Sequence, residues 1–131
     1  MNKTQVANLV DKALEAQKFA YAPYSKFKVG SALLATGGQI FTGANIENSA
    51  FGATLCAEKV AVGKAVSEGK RDFSILVVVG DKGQLIMPCG SCRQIINEFS
   101  PECLIAILNE KNEIDFKAAK QALPDAFSLK A

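Results

Sequence analysis

The feature that most constrains this chain is a pair of short cysteine-bearing segments, each placed where a helix is predicted to begin. One segment contains Cys56 and Glu58, and the other contains Cys89 and Cys92 behind Pro88. Proline is favoured at the start of a helix because its missing N–H would have no partner there anyway. Cys89 and Cys92 are three residues apart, so on a first helical turn their sulfurs point the same way and can share one metal ion.

A third thiolate, from Cys56, would leave one position of a tetrahedral zinc site open. That arrangement is typical of a catalytic zinc rather than a structural one. The chain has no histidine, so thiolates or carboxylates must hold any metal and a carboxyl group must move protons. Glu58 lies about 200° round the helix from Cys56, so we expect it beside the open position. Two helix N-termini, with Lys59 or Arg93, would offset the negative charge.

Three other interpretations of the four cysteines stand beside this one. A closed structural zinc site would add Cys103, but that residue begins a predicted buried strand and is typical of a core thiol. A redox pair fits the spacing of Cys89 and Cys92, although it leaves Cys56 and Glu58 without a role. Four incidental core cysteines are the third interpretation, and the paired spacing disfavours it.

The rest of the chain predicts an α/β scaffold. Apolar residues at helical spacing indicate a first helix at about 4–20, and Thr36-Gly37-Gly38 is the turn of a hairpin with strands at 27–35 and 39–45. Gly30 predicts a close backbone approach. The further predicted elements are a helix capped by Thr54 and ended at Gly69, a buried strand at 75–79, a helix at 89–99, a second buried strand at 103–108, an edge strand at 113–116 and a short helix at 117–123. A helix connects the two buried strands, so we expect them to be parallel.

Length and composition predict one domain over residues 1–131 that binds a small molecule. The formal net charge is +2 with no clustered basic run, so we expect neither a nucleic-acid partner nor a membrane partner. No apolar run has the form of a signal peptide or a membrane span, which predicts cytoplasmic localisation. In that compartment cysteines bind metals or do redox chemistry more often than they form disulfides.

Several segments resemble the motifs of a known enzyme family. Cys56-Ala57-Glu58 and Pro88-Cys89-Gly90-Ser91-Cys92-Arg93-Gln94 are similar to the signature of the small, homotetrameric, zinc-dependent cytidine deaminases. The likeness extends, in the family's order, to Tyr24-Ser25-Lys26-Phe27-Lys28-Val29-Gly30, Gly43-Ala44-Asn45-Ile46-Glu47-Asn48 and Leu123-Pro124-Asp125-Ala126-Phe127. It therefore covers nearly the whole chain.

The resemblance implies a three-layer α/β/α fold with a five-stranded mixed sheet, forming one catalytic domain. It also implies a homotetramer whose active sites are completed by neighbouring subunits. Zn²⁺ would be bound by Cys56, Cys89 and Cys92, and Glu58 would move protons.

The same resemblance assigns contacts to a nucleoside substrate. Asn45 and Glu47 would bind the ribose 3′-hydroxyl, although from the residues alone they are turn residues on a solvated surface. Phe27 would pack against the pyrimidine, and the backbone amide of Ala57 would meet its 2-keto oxygen. Phe127 would reach into the site of an adjacent subunit.

The implied reaction is hydrolytic deamination of cytidine and deoxycytidine to uridine and deoxyuridine, an activity of pyrimidine salvage. A zinc-bound hydroxide would attack C4 of the base. Glu58 would take the proton of the water, deliver one to N3 and help the amino group leave as ammonia.

Two residues depart from the family's pattern. Lys59 stands where arginine is usual, and its point charge cannot copy a planar fork that donates to two sulfurs. Phe51 stands where tyrosine is common, so a hydroxyl contact between subunits would be missing.

Three other functions compete with this one. A deaminase of a blasticidin-type nucleoside antibiotic shares the zinc motifs but departs from the Asn45-x-Glu47-Asn48 pattern. Deamination of polynucleotides is disfavoured because no basic track or aromatic platform is visible. A non-catalytic, zinc-stabilised nucleoside-binding protein would have no use for Glu58.

Overall fold

A five-stranded mixed sheet forms the middle layer of the computed structural model, which describes residues 3–129. Its strands in chain order are β1 (Gly30–Ala35), β2 (Ile40–Ala44), β3 (Phe73–Val79), β4 (Leu104–Leu108) and β5 (Ile114–Ala118). Their order across the sheet is β2-β1-β3-β4-β5, in which β3 and β4 are parallel and the other neighbours are antiparallel. The predicted hairpin, parallel pair and edge strand are therefore confirmed.

Helices cover both faces of this sheet. They are α1 (Lys3–Gln17), α2 (Ala57–Ser67), α3 (Gly90–Phe99) and α4 (Ala119–Ala122), with a 3₁₀ turn at Phe51–Ala53. The α1 helix packs on one face, chiefly against β1 and also against β2 and β3, while α2 packs on β1 and β2 from the other face beside α3. This is the predicted three-layer α/β/α arrangement. Residues 3–129 contain no helical stretch with the length and hydrophobicity that a membrane crossing requires.

The central strand β3 is apolar throughout because both of its faces are covered. Side chains of a strand alternate between faces, and here the alternation divides the core in two. The α1 side contains Ile75, Val77, Val79, Leu9, Ala13, Ala32 and Ala106. The α2 and α3 side includes Leu76, Val78, Leu33, Phe41, Ala61, Ala65, Ile96 and Ile105. An unbroken apolar run is the pattern expected of a strand buried in this way.

Both cysteine-bearing helices begin with a cysteine as N-cap, which corrects the predicted cap at Thr54. Cys56 caps α2 and Cys89 caps α3. Thr54 instead follows the 3₁₀ turn, and its Oγ1 accepts a hydrogen bond from the Asn48 N–H at 3.2 Å. Cysteine is not a preferred N-cap, so the cap preferences of the sequence point to the threonine two positions earlier.

Gly30 lies where α1 crosses the sheet, as its position in the sequence predicts. A Cβ at Gly30 would lie 2.0 Å from the backbone oxygen of Ala13 and 2.9 Å from Cβ of Gln17. Those atoms belong to the helix backbone and its first side-chain carbon, so neither can swing away. The missing side chain lets α1 approach the sheet closely.

We expect Gly30→Ala to lower the free energy of unfolding by about 1–3 kcal/mol, because the added methyl overpacks a backbone contact. The matched control is Gly63→Ala in α2, where an added Cβ has nothing within 4 Å. That substitution should stabilise the protein by about 0.5–1 kcal/mol through helix propensity. Urea unfolding of both variants measures the difference, and equal stabilities would contradict the close approach.

Candidate metal centre and active site

Three thiols meet where α2 and α3 begin. The Sγ atoms of Cys56, Cys89 and Cys92 all lie within 4.8 Å of one another, and those of Cys89 and Cys92 are 3.5 Å apart. In a tetrahedral zinc site with Zn–S bonds of about 2.3 Å, sulfurs lie about 3.8 Å apart. The trio therefore has the spacing of three ligands on one zinc ion.

The surroundings of the three sulfurs also suit a metal with an open position. Neither N-cap cysteine uses its side chain to cap its helix, so both sulfurs stay available. Cys92 is 1% exposed, whereas Cys56 is half-buried and Cys89 is exposed. One side of the trio therefore faces solvent.

Burial opposes the ionisation of all three thiols when no cation is present. Burial, with nearby Cys89 and Glu58, raises the pKa of Cys56. Burial raises the pKa of Cys92 still further, and the Glu58 carboxylate adds to that effect. For Cys89 burial acts in the same direction, but hydrogen bonds from Cys92 and Cys56 outweigh it and lower the pKa. Ionising all three thiols in this space needs a compensating cation, which Zn²⁺ supplies.

Glu58 lies in the first turn of α2, beside the thiols but outside the ligand group. It is 6% exposed, and its negative charge acts on all three cysteines. Within residues 3–129 the carboxylate has no hydrogen-bond or salt-bridge partner. A buried carboxylate is costly when nothing binds it, so this group is placed for something outside the chain, such as a water or a substrate.

Cys103 stands apart from the trio. It is fully buried in the core between the sheet and α3, and burial raises the pKa of its thiol to about 12. Among the described residues, the thiols that could share a metal are the other three. The closed four-cysteine site is therefore not formed.

The two cations predicted to offset the charge differ in their contacts. Lys59 lowers the pKa of Cys56 through its positive charge. Arg93 instead donates from Nη1 to the carbonyl oxygen of Ala122 at 2.7 Å, and its Nε is buried with no partner. Lys59 thus acts on the Cys56 thiol, whereas Arg93 links α3 to the end of α4.

Backbone hydrogen bonds connect residues 45–47 to the start of α2, where the metal centre lies. The backbone of Ile46 exchanges two hydrogen bonds of 2.9 Å with Leu55, the residue before Cys56. On the other side Tyr21 N–H donates to the Asn45 carbonyl at 2.9 Å, and Glu47 N–H donates to the Tyr21 carbonyl at 2.8 Å. The segment that carries Asn45 and Glu47 is therefore fixed next to the start of α2.

The side chains of Asn45 and Glu47 both hold the loop before β1. Asn45 is buried, and its amide accepts from Val29 N–H and donates to the Phe27 carbonyl, each at 2.9 Å. Glu47 accepts from the Tyr24 and Ser25 amides at 3.0 and 3.1 Å and from the Ser25 hydroxyl. The Ser25 hydroxyl is the main cause of the lowered pKa of Glu47.

The remaining predicted contact residues surround this region. Phe27 is 41% exposed on the loop that Asn45 and Glu47 hold. The Ala57 amide is the first of α2, and such an amide has no acceptor inside its helix. Phe127 is 70% exposed, and its carbonyl accepts from Gln94 Nε2 at 2.8 Å, which holds the end of the chain against α3.

Sequence reasoning missed the part played by Tyr24 and Ser25. Together with Glu47, Phe51 and Thr54 they line a cleft of about 400 Å³. A larger groove of about 660 Å³ lies between α1, β2 and α2, and none of the three thiols lines either the groove or the cleft. Tyr24 and Ser25 lie between the predicted first helix and the predicted hairpin, and no spacing in the sequence indicates that the Ser25 hydroxyl is the partner of Glu47.

A three-layer α/β/α fold with three thiols at two helix N-termini and a buried carboxylate beside them defines a zinc-dependent hydrolytic deaminase of the nucleobase type. Comparison with known proteins agrees. Residues 3–108 match the family model described as the cytidine and deoxycytidylate deaminase zinc-binding region. The chain belongs to this family.

Individual relatives match over almost their full length. The chain is 47% identical to a cytidine deaminase of Sporosarcina psychrophila, over 94% of this chain and 91% of the relative. It superposes on the crystal structure of cytidine deaminase from Mycobacterium tuberculosis with a TM-score of 0.84 at 37% identity, covering 95% of this chain and 98% of that one. A blasticidin-S deaminase of Bacillus cereus is more distant, at 32% identity over 96% of this chain and 91% of the relative.

We expect Cys56→Ser to lower the zinc content of the purified protein well below one ion per chain, because oxygen replaces a thiolate in a site with few protein ligands. The matched control is Cys103→Ser, which changes the cysteine outside the trio and should keep its zinc. Metal analysis of both variants provides the measurement. Loss of zinc from the Cys103 variant alone would show that the ligand set is wrong.

Proposed function

We propose that this protein hydrolyses the 4-amino group of cytidine and deoxycytidine, forming uridine or deoxyuridine and ammonia, with residues 1–131 as one catalytic domain. The observation that carries the proposal is the Glu58 carboxylate, which is buried beside three thiols and has no partner within residues 3–129. A structural zinc site needs no such group. A hydrolytic site does, because a proton must move from water to the leaving group.

The metal would be held by Cys56, Cys89 and Cys92, and its contribution would be an activated water at near-neutral pH. Glu58 would take a proton from that water and pass one to N3 of the base. The water oxygen would bond to C4, the proton remaining on that oxygen would pass through Glu58 to the amino nitrogen, and the C4–N bond would break to release ammonia. The first amides of α2 and α3 would favour the negative charge of the site.

The proposed contacts to the base and the sugar come from the start of α2 and from the loop that is held beside it. The Ala57 amide would donate to the 2-keto oxygen, and Phe27 would pack on the ring. Asn45 retains one amide hydrogen beyond its bond to Phe27, and Glu47 is an ionised acceptor. Both could therefore bind the ribose 3′-hydroxyl while still holding the loop, which would couple sugar recognition to the position of Phe27.

A blasticidin-type deaminase is the second candidate, supported by the more distant relative of that name. It would use the same thiols and Glu58, so the chemistry does not separate the two. The higher identity to a cytidine deaminase and the Asn45-x-Glu47-Asn48 pattern favour an ordinary pyrimidine nucleoside over the antibiotic.

We further propose a homotetramer with shared active sites, acting in cytoplasmic pyrimidine salvage. Support for association comes from aromatic side chains that a single chain leaves exposed. Phe19, Phe51 and Phe127 are 83%, 77% and 70% exposed, and burying such side chains is strongly favourable. Gln94 holds the Phe127 backbone against α3 while the side chain stays exposed, so the ring is available to a neighbouring subunit.

We expect Glu58→Gln to retain zinc and lower kcat for cytidine at least about 100-fold, because general acid–base catalysis contributes about 10²–10⁴-fold. Glu68→Gln makes the same change at the exposed end of α2 and should leave kcat unaltered. Ammonia release from cytidine, deoxycytidine and blasticidin S provides the measurement. Turnover of blasticidin S alone would favour the second candidate, and an active Glu58 variant would contradict the mechanism.

Mixed assemblies test whether Phe127 acts on a neighbouring site. Phe127→Ala alone should lower kcat/KM about two- to tenfold through the lost aromatic contact. Assemblies of Phe127→Ala chains with Glu58→Gln chains should recover the wild-type kcat/KM per intact Glu58, since each supplies what the other lacks. A Glu58→Gln, Phe127→Ala partner is the control and should rescue nothing. No recovery with the first partner, or sedimentation as a monomer, would contradict shared sites.

A further inference from the structure

The first turn of α2 is seated on two residues of the β1–β2 hairpin. Ser31 and Gly43 are directly opposite each other across the two strands. The Ser31 hydroxyl donates to the Ala57 carbonyl oxygen at 2.8 Å, and a Cβ at Gly43 would lie 2.3 Å from that same oxygen. Ser31 donates a hydrogen bond to the Ala57 carbonyl, and Gly43 leaves room for that carbonyl because it has no side chain. The hairpin therefore fixes the position of this peptide oxygen.

The Ser31 hydroxyl is committed to this bond. Ser31 is fully buried, and the other acceptor within reach, the Gly43 carbonyl, is farther away at 3.5 Å. Leu33 and Ala35 follow at alternate positions of the same strand and pack into the apolar core below α2. A buried hydroxyl is unfavourable unless it is hydrogen-bonded, so the bond to Ala57 is what makes serine acceptable here.

The carbonyl that Ser31 binds belongs to the peptide between Ala57 and Glu58. Ala57 and Glu58 directly follow the metal ligand Cys56. In the proposed function, the Ala57 amide binds the 2-keto oxygen of the pyrimidine and the Glu58 carboxylate passes a proton to its N3. A hydrogen bond to the carbonyl restricts rotation of the peptide plane and ties it to the sheet. Small displacements of reacting groups are costly in rate.

We propose that Ser31 is a positioning residue, which acts through the Ala57–Glu58 peptide to hold the Ala57 amide and the Glu58 carboxylate in register with the metal centre. The inference rests on the proposed function. Ser31 touches neither metal nor substrate. If the Ser31 hydroxyl is removed, the Ala57 carbonyl oxygen still has a hydrogen-bond donor, because the amide four residues further along the helix also donates to it.

The test is Ser31→Ala, which removes one atom and leaves the packing almost unchanged. At equal zinc content, kcat/KM for cytidine should fall about three- to tenfold, the loss expected from one hydrogen bond that aligns reacting groups. The matched control is Ser100→Ala. Ser100 is also buried, and its hydroxyl donates to the Arg71 carbonyl at 3.1 Å and accepts from Phe73 N–H at 2.9 Å, away from the thiols. That variant should lose thermal stability while keeping its kcat/KM.

A second readout does not depend on turnover. The nitrogen of Glu58 shares a peptide with the Ala57 carbonyl, so its ¹⁵N resonance in glutamate-labelled protein should move in Ser31→Ala and stay in place in Ser100→Ala. An unmoved resonance, or a kcat/KM within about twofold of wild type, would overturn the proposal. If the wild type turned over no pyrimidine nucleoside, the proposed function would fail, and the Glu58 resonance alone would decide whether Ser31 fixes this peptide.

Discussion

The concentration of negative charge at one point is the constraint on which the rest of the structure depends. Three thiols within 4.8 Å of one another share their space with the buried carboxylate of Glu58, and burial raises the pKa of Cys56 and of Cys92 when no cation is present. A zinc ion offsets two of the four negative charges that three thiolates and the Glu58 carboxylate carry. Two helix N-termini offset part of the remainder through their backbone dipoles, which explains why two helices, rather than one loop, carry the ligands.

Holding two helix N-termini together requires a rigid platform. The sheet provides it, with α2 seated through Ser31 and Gly43 and α3 connecting the adjacent parallel strands β3 and β4 along the chain. The segment 45–47 leaves β2 and pairs with Leu55 immediately before the first thiol. A continuous path of backbone hydrogen bonds therefore connects the loop proposed to bind nucleoside with the metal centre.

Much of this could be predicted from the sequence because it depends on periodicity and spacing. The helix and strand order, the parallel pair, the close approach at Gly30 and the grouping of Cys56, Cys89 and Cys92 all follow from such patterns. The predicted N-cap at Thr54 was wrong because α2 is capped by Cys56, and cysteine is not among the residue types that usually occupy an N-cap. The loop-holding bonds of Asn45 and Glu47 and the engagement of Arg93 with α4 depend on side-chain directions between distant segments, which no local pattern contains.

The central claim is that three thiolates hold one zinc ion with a fourth position left to water or substrate. Zinc X-ray absorption of the purified protein tests it most directly, because scattering by sulfur and by oxygen differs in strength and distance. We expect about three sulfurs at about 2.3 Å and one oxygen at about 2.0–2.2 Å. Four sulfurs and no oxygen would mean that the site is closed and structural, and would contradict the account.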